Sequence, residues 1–345
     1  MTATPPKRRV KAWQWLFLLL LIAGTVYALR RSSSTAFHDN TGTVFGTVYH
    51  IKYDYTHDLR TDIEAELRRV DSSLSMFNEA SIISRVNRND PVEVDTMFAQ
   101  VFRLSQEISA QTSGAFDITV APLVQAWGFG FEHADSITPS LLDSLRAYVG
   151  YEKVRLEGRT VVKSDPRVML DCSAVAKGYG VDAVARLFDR LGIRNYMVEI
   201  GGEVVVRGQN PDRRKWSIGV SRPVDDTLAM EASASPQVVL EVTDRALATS
   251  GNYRRFYYRN GRKYAHTIDP HTGQPVQHSL LSASVLAPDC ATADAYATAF
   301  MVMGVERARE VLKAHPELDA YFIYERHDGK VVTWHTSGLE KYISR

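Results

Sequence analysis

The segment DCATADAYATAFMVMG places Asp294 and Thr298 four residues apart. On a helix that spacing puts a carboxylate and a hydroxyl on one face, one turn from each other. Two hard oxygen donors suit a cation such as Mg2+ and do not suit zinc. The pair also fits a plainer arrangement, with the Thr298 hydroxyl bonded back to the Asp294 carbonyl and the carboxylate solvated. Its neighbours weigh the other way: Ala, Tyr and Phe surround the pair and predict a buried face, where a lone carboxylate is costly without a partner. A second acid and a base stand in LDCSAVAKGYGVDAV, where Asp171 precedes a run of small residues and Lys177 lies against Gly178 and Gly180. Either this is a tight turn into a helix with solvated charges, or a backbone stripped of side chains lets a large anionic ligand lie directly on it.

A proton-transfer candidate stands in YAHTIDPHTGQPV. His266 ends a strand, and Asp269-Pro270 begins a turn whose positive φ falls to Gly273. Histidine titrates near neutrality and is the commonest proton-transfer group, although ten histidines are present and DPHTG also reads as an ordinary turn. ALATSGNYRR gathers small residues and hydroxyls around Gly251, which suits a phosphate approached by backbone N–H groups. SGAFDITVAPLVQAWGFG sets Asp117 between Phe116 and what reads as an apolar strand. G-x-x-x-x-G-K-[ST], G-x-G-x-x-G after a strand, H-E-x-x-H, G-x-S-x-G and paired C-x-x-C are all absent from the sequence. That removes the usual ATPases, dehydrogenases, zinc proteases and α/β-hydrolases as first readings.

These residues need elements to position them. GTVFGTVYHIKYDY alternates and is rich in β-branched and aromatic residues, so it reads as a strand. Thr61 with Glu64 forms a capping-box pattern, and Ile63, Leu67, Val70 and Leu74 follow at helical spacing. Asp95 opens a second helix, with Phe98, Val101, Leu104 and Ile108 on one face and Gly114 beyond its end. Thr138-Pro139 starts a short third helix. Val181, Val184, Phe188 and Leu191 carry a fourth, stopped by Gly192. YMVEIGGEVVVRG predicts two strands about a Gly-Gly turn, and RRFYYRNGRKYAHTID a hairpin about Asn260-Gly261. A last helix is predicted from about Ala291 to Met303, followed by another through Ala308 and Leu312. Helices and hairpins interleave without a strict βαβ rhythm, so the predicted class is α+β.

The chain has 345 residues, 45% hydrophobic and 23% charged, enough for one large core or two closely packed subdomains. A net charge of +1 provides no global field to gather nucleic acid or acidic substrates, so any anion must be bound locally. Cys172 and Cys290 are the only cysteines and are expected to be buried thiols. Residues 1–11 are basic, with Lys7, Arg8, Arg9 and Lys11. The uncharged run from Ala12 to Leu29 is long enough to span a bilayer, and the basic start favours an inside N-terminus. A cleaved signal peptide ending at Val26-Tyr27-Ala28 is the alternative; in either case the body is exported. Residues 30–41 read as a linker and 42–345 as the exported domain.

Eight segments in order, GTVFGTVYHIKY, LSMFNEASIISRVN, SGAFDITVAPLVQAWGFG, LDCSAVAKGYGVD, VEIGGEV, ALATSGNYRR, HTIDPHTGQPV and APDCATADAYATAFMVMG, resemble the ApbE family of FAD:protein FMN transferases across Gly42 to Gly304. The resemblance implies an ApbE-like fold of mixed or antiparallel sheets with packed helices. It implies an enzyme on the outer side of the bacterial cytoplasmic membrane that moves FMN from FAD to a Thr or Ser hydroxyl of exported or membrane proteins, releasing AMP and requiring Mg2+. Asp171 and Lys177 would then contact the dinucleotide, with the small residues of this segment needed for its close approach. The Ala174 carbonyl, Asp294 and Thr298 would hold the metal. Ala115, Phe116, Asp117 and Ile268 would line the FAD site, and Phe77 would pack on a ring of the cofactor. His266 would take the proton of the incoming hydroxyl, with Asp269 as its orienting partner. Phe45 stands where the family usually has methionine, and Asn252 where aspartate is common; an altered flavin contact is expected at Phe45, not loss of the site. An FAD pyrophosphatase using the same residues is the competing enzyme. Intact Asp294, Thr298, Lys177 and His266 argue against a non-catalytic flavin-binding membrane protein.

Overall fold

Alternating β-branched and aromatic residues build one large sheet, and helices rich in small residues cover one of its faces. The computed structural model describes residues 12–32, 36–129, 137–222, 236–252, 256–259, 262–265 and 267–344. Helix α1 (Ala12–Ser32) precedes the hairpin β1 (Ala36–Val44) and β2 (Thr47–Tyr55). Helices α2 (Arg60–Leu74), α3 (Ile82–Asn87), α4 (Thr96–Gln111), α5 (Ala121–Ala126) and α6 (Pro139–Arg146) follow. The small hairpin β3 (Val154–Glu157) and β4 (Thr160–Lys163) leads to helix α7 (Ala176–Arg190). Then come β5 (Tyr196–Ile200), β6 (Glu203–Arg207), β7 (Trp216–Val220), β8 (Val238–Val242), β9 (Arg245–Gly251), β10 (Phe256–Arg259), β11 (Arg262–Ala265) and β12 (Leu280–Ala287). Helix α8 (Cys290–Ala314) and strands β13 (Asp319–Glu325) and β14 (Val331–His335) complete the order.

The main sheet has eight strands in the order β1-β2-β5-β6-β9-β12-β13-β14, every neighbouring pair antiparallel. Its two-residue side-chain period divides the core between two faces. Val205 and Ala246 join the side occupied by Val181, Val184 and Phe188 of α7, whereas Val204, Val206 and Leu247 pack with Trp216, Val220, Leu240 and Val242 of the β7–β8 ribbon. The sheet is thus held between α2, α7 and α8 on one side and a two-stranded ribbon on the other. Residues of β6 and β12 are buried on both faces, so these strands read as continuous apolar runs rather than alternating ones. The observed class is α+β, as expected.

Local differences have local causes. GTVFGTVYHIKYDY forms a hairpin, not one strand: Phe45 and Gly46 have φ of 51° and 71° and close a two-residue turn between Val44 and Thr47, the geometry that matches strand twist. β1 begins at Ala36, inside the segment expected to be linker. The Thr61–Glu64 capping box does not form, because α2 starts at Arg60 and its amide donates to Asp58 Oδ1 at 2.9 Å. The apolar run after Asp117 is helical, with Pro122 in the first turn of α5. Asp95 and Thr138 cap their helices as predicted, accepting from Phe98 N and Leu141 N. Gly192 ends α7 with φ 74°, and Gly304 at φ 75° divides α8 into the two predicted helices. Strands β10 and β11 pair through Arg259 and Arg262 as expected, although Asn260 and Gly261 of the turn lie outside the described residues. Cys172 and Cys290 are buried free thiols. Described side chains of α1 from Trp13 to Thr25 are exposed, and among the described residues no helix is long and apolar enough to cross a membrane.

Candidate active site

Helices α7 and α8 meet with nothing between their backbones. A Cβ at Gly178 would stand 2.4 Å from the Cys290 carbonyl oxygen and 2.9 Å from Ala291 Cα. The two helix starts exchange hydrogen bonds at this contact. Gly178 N donates to Asp294 Oδ2 at 3.0 Å, while Cys290 N and Ala291 N donate to Asp182 at 2.9 and 2.8 Å. Each helix therefore lends the other a carboxylate for first-turn amides that have no partner of their own. Gly180 serves a similar end, since a Cβ there would reach within 2.7 Å of the Phe45 ring. This corrects the expectation that these small residues let the dinucleotide approach: at Gly178 and Gly180 the close neighbour is protein.

The exchange has a consequence for Ala174. In a continuous helix the Gly178 amide would return to the carbonyl four residues earlier, which is that of Ala174; here it is given to Asp294 instead. The Ala174 carbonyl is left outside the helical ladder, next to the start of α7. Asp294 itself is 3% exposed, so the solvated arrangement does not hold. The Thr298 hydroxyl lies 3.2 Å from Ser250 Oγ at the end of β9, one turn along α8. A buried carboxylate, a hydroxyl and a released carbonyl are hard oxygens, which fit Mg2+; among the described residues no three His, Cys, Asp or Glu side chains gather so as to hold a metal ion by themselves.

The Lys177 ammonium pairs with Glu203 Oε1 at 2.5 Å. Burial alone would lower its pKa, but the charges of Asp294 and Glu203 outweigh that and hold it above its usual value. Burial pushes the Asp294 carboxyl upward, against the pull of Lys177. A second strip joins from the segment that precedes α5: Asp171 N donates to the Ile118 carbonyl at 2.7 Å. Asp171 Oδ1 then accepts from Ser173 N at 2.7 Å, shaping the approach to Ala174. Asp117 is buried and pushed upward by desolvation, with Thr119 N and Oγ1 on its Oδ1 at 2.7 Å opposing the shift. A hollow of about 470 Å³, lined by Asp269, Thr272, Gln274 to His278 and Val302, reaches α8 one turn beyond Thr298.

The model of the ApbE family matches residues 45–322. The chain belongs to the ApbE family. It is 38% identical over 315 residues to the FAD:protein FMN transferase of Vibrio cholerae, covering 88% of this chain and 92% of that one. The corresponding protein of Haemophilus influenzae is 37% identical over 320 residues, covering 87% and 90%. The solved flavin transferase ApbE from Vibrio cholerae superposes with a TM-score of 0.79 at 36% identity, over 89% of this chain and 99% of that one. The apo flavinyl transferase ApbE of Pseudomonas stutzeri gives 0.79 at 29% identity, over 89% and 97%.

Within this ApbE chain, the fold brings Lys177 and Asp294 together, with Ala174 in the turn that leads into α7 and Thr298 one turn further along α8. The Ala115 and Phe116 side chains are 2% exposed and Ile268 is 5% exposed. Phe116 belongs to the main core and Ile268 to a cluster with Leu123 and Trp127, so these positions offer a ligand backbone rather than side chain. Phe77 is 67% exposed. Phe45 is half-buried, its left-handed backbone aiming the ring at α7. Asn252 accepts from Thr267 Oγ1 at 2.9 Å. The Asp269 carboxylate is engaged by its own turn, through His271 N at 2.9 Å, His271 Nδ1 at 3.2 Å and Thr272 Oγ1 at 3.1 Å. His266 lies outside the described residues. Glu203, Asp182 and Ser250 were not among the expected site residues. The sign for Glu203 was an acid placed directly after Gly-Gly and ahead of the apolar run Val204 to Val206.

Proposed function

We infer that the chain, an FAD:protein FMN transferase, moves the FMN half of FAD onto a Thr or Ser hydroxyl of exported or membrane proteins in a Mg2+-dependent reaction. The observation that carries this reading is the buried Asp294 carboxylate in the field of the Lys177 ammonium; the Thr298 hydroxyl one turn further along α8 and the Ala174 carbonyl left outside the α7 ladder support it as further hard oxygens. The acceptor oxygen attacks the FMN phosphorus, the bond from that phosphorus to the bridging oxygen breaks, and AMP leaves with the bridging oxygen. Lys177 offers positive charge to the pyrophosphate, and Asp171 and the backbone at 115–117 and 268 bind the rest of the dinucleotide. Mg2+, when held by Ala174, Asp294 and Thr298, would neutralise charge building on the pyrophosphate oxygens.

His266 is the base that takes the acceptor proton, since a hydroxyl is a poor nucleophile until one does. His266→Ala is expected to slow transfer by about 10²–10⁴ and to remove the acid limb of the pH–rate profile; an unchanged profile moves the role elsewhere. The uncharged run Ala12 to Leu29 and the exposed apolar side chains of α1 support a membrane anchor, with the body on the outer face. Product partitioning tests the function as a whole. Full-length protein with FAD, Mg2+ and a Thr-bearing target should put covalent flavin on the target as AMP appears. Rapid AMP and free FMN, indifferent to the target and without label, would make the chain a pyrophosphatase.

A further inference from the structure

Glu203 is the first residue of β6 and follows Gly201 and Gly202, whose φ values of 65° and 106° turn the chain back from β5. The turn drives a carboxylate into the interior, where Glu203 is 2% exposed. One oxygen meets Lys177 Nζ at 2.5 Å. The other, Oε2, is buried without a hydrogen-bond partner. A carboxylate kept for stability would have both oxygens satisfied, because a half-satisfied buried ion costs more than an apolar side chain in its place. What the arrangement secures is the direction of Lys177. That ammonium has three N–H donors, one is committed to Glu203, and its side chain remains one-third exposed. The remaining donors can face an anion.

We propose that Glu203 is a positioning residue for FAD binding, acting through Lys177 by fixing where its ammonium stands. The inference rests on the FAD reading above and adds a residue to it. Charge alone makes the opposite forecast. Glu203 is a negative group beside the cation that would hold a pyrophosphate, so neutralising it should tighten an anionic ligand if Glu203 were only a neighbouring charge. If it positions Lys177, neutralising it frees the ammonium to wander and binding weakens.

The test is FAD affinity of the full-length protein, measured by flavin fluorescence or calorimetry without acceptor or Mg2+, with folding followed by circular dichroism. Glu203→Gln is expected to raise the FAD Kd about tenfold, the scale of one charge-assisted contact. Lys177→Met should weaken binding at least as much, and the double variant no further than Lys177→Met alone. Wild-type or tighter binding by folded Glu203→Gln overturns the proposal, as does a double variant whose loss is the product of the two single losses. Should Glu203→Gln not fold, Glu203→Asp keeps the charge but withdraws the oxygens by one methylene, and its affinity should also drop; unchanged affinity overturns the proposal equally. A wild-type protein that does not bind FAD sinks the functional reading itself, an outcome distinct from both.

Discussion

Asp294 has one duty the structure shows and one that we propose, and substitution can separate them. Its Oδ2 holds Gly178 N, and the carboxylate charge is what a hard cation requires. Asp294→Ala removes both, so we expect loss of Mg2+-dependent turnover by about 10²–10³ together with a stability loss of about 1–3 kcal/mol from the orphaned buried amide. Asp294→Asn keeps an acceptor for Gly178 N but not the charge; turnover should be lost while the denaturation midpoint stays near wild type. FAD binding should survive in both. Near wild-type turnover by either variant at limiting Mg2+ would remove Asp294 from the metal set. The Asp294–Thr298 pair was legible because helical spacing and an apolar neighbourhood are written in one short segment. Glu203 was not, because its partner belongs to another element and only the packing of α7 on the sheet brings the two together. Nothing in the period of a strand names the cation across from it.

At the scale of elements, the α7–α8 contact is a reciprocal cap: the amide at 178 and the carboxylate at 182 face the carboxylate at 294 and the amide at 290. Gly178→Ala places a methyl against the Cys290 carbonyl. It should destabilise the protein by about 1–3 kcal/mol in chemical denaturation, the usual cost of overpacking, and a neutral result would mean the helices can part freely. Asp182 gives the contact a pH signature. Burial, with the Asp289 charge adding, pushes its carboxyl up to about 7, whereas in an unfolded chain an aspartate titrates near about 4. Between those values the folded state binds more protons than the unfolded one, so this group's contribution to stability falls as pH rises from about 4 to about 7. Asp182→Asn should flatten that part of the stability–pH curve; an unaltered slope would mean Asp182 titrates normally. Helix ends were well predicted at Asp95, Thr138 and Gly192, because caps are local chemistry, and the break after Met303 followed from the change of helical pattern there. The turn at Phe45 was missed because a phenylalanine in left-handed backbone carries none of the usual Gly or Asn signs, and the glycines of α7 were misassigned because a missing side chain does not say whether ligand or protein fills its place.

For the whole molecule, the sheet order could not be read from the sequence: β5 and β6 lie between β2 and β9, and that order is settled by which apolar faces the helices cover. The anchor belongs to the same scale. Membrane fractionation of cells should find the full-length chain in the membrane pellet, released by detergent and not by high salt; a soluble protein beginning at about Leu29 would replace the anchor with a cleaved leader. One count then matters. Only Ser33, Ser34 and Thr35 stand between the end of α1 and the start of β1. A chain spans at most about 3.6 Å per residue, so if α1 sits in the bilayer, the edge strand of the sheet is leashed within about 15 Å of its surface. An enzyme on so short a leash would not search a compartment: acceptor hydroxyls would have to be carried to the membrane, and its clientele would be set as much by altitude above the lipid as by the chemistry of the site.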